Sequence, residues 1–126
     1  YPDAGQRETA AGDGLSGFGI GEARQAILTH RTSLAELIAR PPGPEQVVAL
    51  PALTAPAAYV LHRLGIRSIC TVHGGAASHG SLMARELGIS AIIGCRGLER
   101  IGEGATVFLD TKRGRVRLIE AIQPEH

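Results

Sequence analysis

Short apolar runs alternate with segments of helical spacing through the middle of the chain. Each run has the length of a buried strand, and each segment between them places its apolar residues along one side of a helix. The predicted strands in this part span 46–50, 67–71 and 90–94, and the predicted helices span 54–64 and 78–87. This strand–helix–strand–helix–strand order predicts parallel strands joined by right-handed crossovers.

The two ends of the pattern predict antiparallel strands instead. A glycine-rich strand from residue 15 continues into a strand over 23–29, a short helix spans 32–40, and strands at 105–110 and 115–119 flank a hairpin turn. We therefore expect an α/β domain over 15–120, with a central, mainly parallel sheet and additional antiparallel strands. The polar stretches at 1–14 and 121–126 are predicted to be a flexible lead-in or linker and a tail.

The composition is that of one ordinary domain with few classes of partner. A chain of 126 residues can bury about 65–70% of its unfolded surface without a disulfide or a metal. The formal net charge is +1, and the basic cluster at 112–117 falls on the predicted hairpin, where it is typical of a solvent-facing strand. Two Tyr, two Phe and no Trp argue against a base-stacking surface. We expect no nucleic-acid partner.

The sequence also argues against a membrane or a secreted protein. No apolar run approaches the roughly 20 residues of a bilayer span, and the N-terminus has no signal-peptide pattern. Cys70 and Cys95 end apolar runs, where small buried thiols are more usual than metal ligands. We expect a cytoplasmic protein without a bound metal. The chain begins with Tyr rather than Met, which suits a piece of a longer protein or the loss of one residue.

Candidate chemistry is concentrated where the strand ending at 71 leads into the helix over 78–87. His79 stands at the start of this helix, after Gly74, Gly75 and Ser78. The first amides of a helix lack internal partners and favour an anion, and the glycines allow close approach of the backbone. Ser78 can cap the helix or bond one nitrogen of His79 and so fix its tautomer. A neutral imidazole in this position is a competent nucleophile for a phosphoryl group.

The spacing alone leaves a simpler alternative open. Ser78 can be an ordinary helix cap, His79 a surface residue of the first turn, and the glycines turn formers. His73 can line the same site, whereas His30, His62 and His126 are expected at surface positions. Arg85 can reach back to a phosphate or pair with a surface acid.

A longer motif changes this balance. The chain reads Gly-Gly-Ala-Ala-Ser-His over 74–79 and Ala-Arg-Glu-Leu-Gly-Ile over 84–89, followed by Ala-Ile-Ile-Gly over 91–94. This run resembles the phosphohistidine swivelling domain of phosphoenolpyruvate-utilising enzymes, such as pyruvate phosphate dikinase, phosphoenolpyruvate synthase, enzyme I of the sugar phosphotransferase system and rifampin phosphotransferase. The resemblance extends over about 15–120. Ser90 in place of a usual Pro, Ala77 in place of a frequent Thr, and the hairpin turn at 111–114 depart from the pattern.

The resemblance implies a three-layer β/β/α swivelling domain in which His79 is transiently phosphorylated and Ser78 orients it. It further implies that Gly74, Gly75, Gly80 and Arg85 hold the phosphate. The domain itself is expected to bind no cofactor, since ATP and Mg²⁺ belong to an ATP-grasp-type partner domain, fused or separate. A second partner domain would bind phosphoenolpyruvate/pyruvate or another acceptor.

Two functions follow as hypotheses. The first is a phosphoryl carrier, which is the mobile part of a phosphotransferase and cannot complete a reaction alone. The alternative is a non-catalytic binding or regulatory module that keeps the swivelling fold. A self-contained hydrolase using Ser78 and His79 is disfavoured, because adjacent residues do not normally form a nucleophile–base pair and no orienting carboxylate is evident.

Overall fold

One continuous sheet of eight strands organises the fold. The computed structural model describes residues 14–120, so the predicted lead-in and tail lie outside it, apart from Gly14. The strands are β1 (Leu15–Ser16), β2 (Phe18–Ile20), β3 (Arg24–His30), β4 (Val47–Leu50), β5 (Ser68–Thr71), β6 (Ser90–Ile93), β7 (Thr106–Asp110) and β8 (Arg115–Glu120). The helices are α1 (Leu34–Ala39), α2 (Ala55–Arg63) and α3 (His79–Leu87), and a 3-10 turn spans Leu98–Arg100.

The strand order is β1-β8-β7-β3-β4-β5-β6-β2. Strands β3 to β6 pair in parallel, and the remaining pairs are antiparallel. Strand β3 belongs to both halves, because 24–27 pair with β7 and 28–30 pair with β4. The predicted mixture of a parallel centre and antiparallel ends is therefore confirmed.

Two apolar cores separate the structure into three layers. One core lies between the helices and the central strands, and it contains Leu61, Ile69 and Ala84. The other lies on the opposite face of the central strands, where Cys70 and Ile92 pack with residues of β7 and β8. Full burial of one such leucine or isoleucine contributes about 1.5–3 kcal/mol, so each of the two cores stabilises the fold. The layers run β/β/α, as the resemblance implies.

The helix starts follow from local capping groups. The Ser33 hydroxyl accepts a hydrogen bond from the Glu36 amide at 3.1 Å, and the Thr54 hydroxyl accepts one from the Ala57 amide at 3.2 Å. Pro56 lies in the first turn of α2, where its missing N–H costs nothing. These caps confirm the predicted helices at 32–40 and 54–64, although α1 covers only 34–39 and α2 only 55–63.

The glycine-rich stretch near the N-terminus differs from the single strand predicted there. It divides at Gly17 into β1, which pairs with β8, and β2, which pairs with β6. The Gly17 amide donates to the Gly114 carbonyl at 2.7 Å, and a Cβ on Gly17 would stand 2.7 Å from the Ile93 carbonyl oxygen. Only a residue without a side chain fits between these two backbones.

No helix within residues 14–120 has the length and apolar character needed to cross a bilayer. In the same part of the chain, no three His, Cys, Asp or Glu side chains come together as a metal site.

Both cysteines are free and fully buried, as predicted. Burial raises the pKa of the Cys70 thiol well above its ordinary value, and the neighbouring Cys95 adds to this. Burial, and then the Glu99 carboxylate, raises the pKa of Cys95 to about 12. Because the thiolate is the reactive form, we expect neither residue to be alkylated by iodoacetamide at pH 7.5 in the folded protein. Mass spectrometry should show two alkyl groups only after denaturation; modification of the native chain at either cysteine would contradict this.

Candidate functional site

The site predicted from the sequence is a loop at the carboxyl edge of the parallel strands. Strand β5 ends at Thr71 and α3 begins at His79, so the loop between them lies where α/β proteins usually bind ligands. Its first two amides form hydrogen bonds to the end of β4 and the residue after it. Val72 donates to the Leu50 carbonyl at 3.1 Å, and His73 donates to the Pro51 carbonyl at 2.8 Å. The loop therefore starts from a fixed position.

Thr71 holds this loop and the one after β6 together. Its hydroxyl donates to the His73 carbonyl at 2.8 Å and accepts from the Gly94 amide at 3.2 Å. Its own carbonyl accepts from the Cys95 amide at 2.7 Å. A single buried side chain thus joins both loops at the edge of the sheet.

The two loops touch through glycines. Gly74 and Gly94 both have positive φ, at 117° and 75°, a region that favours glycine. A Cβ on Gly94 would overlap the Gly74 carbonyl oxygen, and a Cβ on Gly74 would stand 2.9 Å from a methyl group of Ile93. Gly74 is therefore needed for the backbone path of the loop.

Serine hydroxyls close the turn before α3. Ser78 is the N-cap, and its hydroxyl accepts from the Ser81 amide at 3.2 Å and donates to the Ser81 hydroxyl at 3.0 Å. Ser81 in turn donates to the Gly75 carbonyl at 2.6 Å, and the Ser78 amide donates to the same carbonyl at 3.1 Å. The hydroxyl of Ser78 is thus committed to the first turn, and its predicted role in orienting the imidazole of His79 stays a prediction.

His79 is the first residue of α3, and its side chain is exposed. Its own amide and that of Gly80 have no hydrogen-bond partner among residues 14–120. The structure therefore combines an accessible imidazole with two free amides at the positive end of a helix, an arrangement that favours an anion.

Gly80 brings this helix end close to the rest of the fold. It is buried, and a Cβ at this position would overlap the backbone carbonyl oxygen of Leu53. The contact seats the first turn of α3 against the residues that precede α2. At Gly75, by contrast, the space around the position of a Cβ is open. Gly75 contributes to the turn through its carbonyl, which accepts the hydrogen bond from Ser81.

Arg85 lies toward the other end of α3. Six residues of helix separate it from His79 by about 9 Å along the axis. Its guanidinium lies over the Phe18 ring, 5.4 Å from the centroid, beside an open cavity of about 450 Å³ that Arg24 and Arg67 also line. To bind a phosphate at His79 the side chain would have to leave this ring, so its phosphate-binding role stays a prediction.

The other histidines divide differently from the prediction. His62 is exposed as expected, and His126 lies outside the described residues. His30 is partly buried, and its Nε2 lies 2.6 Å from the Ile101 carbonyl oxygen, so the surface position predicted for it holds only in part. His73 lies exposed at the start of the loop that leads to His79.

Several residues that build the site carry no signal in the sequence. Thr71, Ser81 and Gly94 act through partners between 2 and 23 positions away. Gly80 is indicated by the motif, but its contact with a backbone carbonyl of a different loop is not. Of Thr71, Ser81 and Gly94, only Gly94 stands out in the sequence, as the last residue of the motif over 74–94.

Thr71→Val should loosen the site without enlarging the core. The change removes two hydrogen bonds from a fully buried position and should lower the free energy of unfolding by about 1–3 kcal/mol. Urea denaturation measures this, with Thr106→Val as the control, because the Thr106 hydroxyl has no partner within residues 14–119. Equal stability of the two variants would contradict the role assigned to the Thr71 hydroxyl.

Comparison with known families agrees with this architecture. A family profile described as "PEP-utilising enzyme, mobile domain" matches residues 42–114, which include β4 to β7 and the whole loop before α3. Chondramide synthase cmdD of Chondromyces crocatus is 36% identical over 119 residues, or 94% of this chain. The chain spans 3% of the length of that relative.

Solved structures share the fold at low sequence identity. Aconitase X of Thermococcus kodakaraensis, in its holo-form, superposes with a TM-score of 0.66 at 14% identity, covering 84% of this chain and 98% of that one. The N-terminal domain of Enzyme 1-Nitrogen gives a TM-score of 0.55 at 21% identity, covering 64% and 34% respectively. At these identities the likeness concerns the fold alone.

Proposed function

The chain belongs to the family of mobile domains of PEP-utilising enzymes, and we propose that it is a phosphoryl carrier phosphorylated on His79. The observation that carries the proposal is the exposed imidazole at the first position of α3, next to the amides of His79 and Gly80, which have no partner among residues 14–120. Family membership makes this chain part of a transferase-type enzyme.

The chemistry needs a nucleophile and a place for negative charge. An unprotonated imidazole nitrogen of His79 attacks the phosphorus of the donor, the N–P bond forms, and the bond from phosphorus to the leaving oxygen breaks. The leaving oxygen keeps the electron pair. In the second transfer an acceptor atom attacks the same phosphorus and the N–P bond breaks, which restores the imidazole. The helix amides and the backbone around Gly74 and Gly75 favour the phosphoryl oxygens at both stages.

The remaining parts of the reaction are assigned to partner domains. An ATP-grasp-type nucleotide site, with ATP and Mg²⁺, loads the histidine, and a second site holds phosphoenolpyruvate/pyruvate or another acceptor. Ser78 and Arg85 are assigned to orienting the imidazole and to binding phosphate. The chain spans only a small part of the length of its relative, which suits one carrier domain within a larger assembly. Two free, buried cysteines suit a cytoplasmic setting.

Two donors test the proposal. The chain is incubated with ATP, Mg²⁺ and the ATP-grasp-type nucleotide-binding partner, fused or separate, and in a second experiment with phosphoramidate, which phosphorylates histidines without an enzyme. With ATP and the nucleotide-binding partner, intact-mass analysis should show a gain of one phosphoryl group that is lost in acid and kept in base, with the label mapped to His79. Phosphoramidate also reaches other exposed imidazoles such as His62 and His73, so with this donor only the label at His79 is counted. If phosphoramidate labels His79 and ATP with the nucleotide-binding partner does not, the histidine is reactive and the proposed donor is wrong. No acid-labile phosphate from either donor would refute the carrier function.

The same measurements separate the alternative function. A non-catalytic module that keeps the fold would bind an anion at the start of α3 without forming an N–P bond. The departures from the family pattern at Ala77 and Ser90, within the motif, are the observations that favour this second candidate. Saturable phosphate binding without any covalent label would support it.

A further inference from the structure

A second cavity lies at the same carboxyl edge as His79, over the ends of β3, β4 and β5. Its volume is about 310 Å³, which is at the small end for a ligand site. A buried cation, apolar walls and a polar rim make up its lining, contributed by Arg31, Pro51, Val72, His73, Leu98 and Glu99. Parallel strands commonly bind ligands at this edge, and the carrier chemistry proposed for His79 does not use this cavity.

Arg31 is the unusual residue of this cavity, since only 7% of its surface is exposed. Its Nε donates to the Arg40 carbonyl at 2.8 Å, and its Nη1 donates to the Thr29 hydroxyl at 2.7 Å and to the His30 carbonyl at 2.8 Å. These three bonds fix the plane of the guanidinium. The side chain is held before any ligand arrives, which lowers the cost of binding.

The remaining nitrogen of the guanidinium has no partner in the described part of the chain. Nη2 of Arg31 has no hydrogen-bond partner among residues 14–120. In this part of the chain, every side-chain nitrogen or oxygen that is sealed from solvent does have a partner. Nη2 is therefore accessible, and Arg31 lines the cavity. A guanidinium keeps its charge when buried, so it presents a positive donor there.

Glu103 balances this charge only indirectly. Its carboxylate accepts from the Thr29 hydroxyl at 2.6 Å and from the His30 amide at 2.8 Å. Burial opposes ionisation, but these hydrogen bonds outweigh it and lower the pKa of Glu103. The carboxylate reaches Arg31 through the Thr29 hydroxyl rather than by an ion pair, which leaves Nη2 unoccupied.

The rest of the lining decides the kind of ligand. Pro51, Val72 and Leu98 give the cavity apolar walls, while His73 and the exposed Glu99 stand at its rim. We propose that this cavity binds a small organic anion, a carboxylate or a phosphate ester with a short apolar body, through Nη2 of Arg31. The anionic group meets the guanidinium and the apolar body covers the walls.

The test is a titration of the 126-residue chain followed by amide chemical shifts. The probes are butyrate, butyl phosphate, the neutral analogue butyramide, and inorganic phosphate. At least one of the two organic anions should give saturable shifts at 30–32, 49–51, 72–73 and 98–99, and comparison of the two tells which head group the cavity prefers. Butyramide should give none, and inorganic phosphate should bind these residues at least about tenfold more weakly, because it has no apolar body.

Variants assign the binding to Arg31. Arg31→Gln should weaken it at least about tenfold, whereas Arg67→Gln, the same change of charge at another cavity, should leave it unchanged. Glu99→Gln removes an exposed carboxylate from the rim and should tighten binding about two- to fivefold at low salt, which keeps the test valid if Arg31→Gln does not fold. Equal response to butyramide, shifts confined to other surfaces, or no effect of both Arg31→Gln and Glu99→Gln would overturn the proposal. His79→Ala should bind normally, so loss of phosphorylation and loss of this site are separate outcomes.

Discussion

His79→Ala is expected to abolish covalent phosphorylation of the chain, with a loss of at least about 1000-fold in the rate of labelling. The imidazole nitrogen forms the bond to phosphorus, and alanine offers no substitute atom. The substitution should leave stability within about 0.5 kcal/mol, because the side chain is exposed at the first helical position. Labelling is followed by intact mass after exposure to ATP with the nucleotide-binding partner, and unfolding by urea.

His73→Ala is the matched control for this experiment. It removes an exposed imidazole from the same loop, six positions earlier, and should keep full labelling. If His79→Ala retained an acid-labile phosphate while His73→Ala lost it, the nucleophile would be His73. If both variants kept the label, neither histidine of this loop would be the required nucleophile.

Gly94→Ala is expected to lower the free energy of unfolding by about 2–4 kcal/mol, more than any other variant proposed for this protein. Alanine at a φ of 75° costs roughly 1 kcal/mol, and its Cβ would also overlap the Gly74 carbonyl oxygen, which is backbone and cannot rotate away. Relief of the overlap must move one of the two loops at the edge of the sheet. Labelling of His79 should therefore fall together with the free energy of unfolding.

Gly88→Ala separates the two causes. Gly88 has a similar φ of 72°, and the space around a Cβ at this position is empty. This variant should lose only about 1 kcal/mol and keep its labelling. Denaturant titration of both variants gives the comparison. Equal losses would show that backbone conformation alone, and not the contact between the loops, requires glycine at 94.

The elements that the sequence predicts well are those with local causes. Thr54 and Ser78 cap the helices that follow them, and Gly88 ends α3 in the left-handed conformation, because each acts on backbone groups within a few residues. The parallel order of the central strands follows from the alternation of strands and helices. The family is likewise indicated by a contiguous motif, and the matching profile confirms it.

What the sequence could not predict depends on distant partners. The division of the glycine-rich segment at Gly17 requires Gly114, which is 97 positions away. The sequence predicts His30 on the surface because nothing near it in the chain shows that Ile101 supplies an acceptor. A single sequence carries no signal for contacts of this range.

The passage from β1 to β2 at Gly17 also limits where this domain can be cut. Residues 15–16 pair with β8 and residues 18–20 pair with β6, so one short stretch supplies both edge strands of the strand order. A shortened protein that started after residue 20 would present the longer strands β8 and β6 as edges instead. Such edges recruit strands from other molecules, so the first stretch of the domain protects it from aggregation.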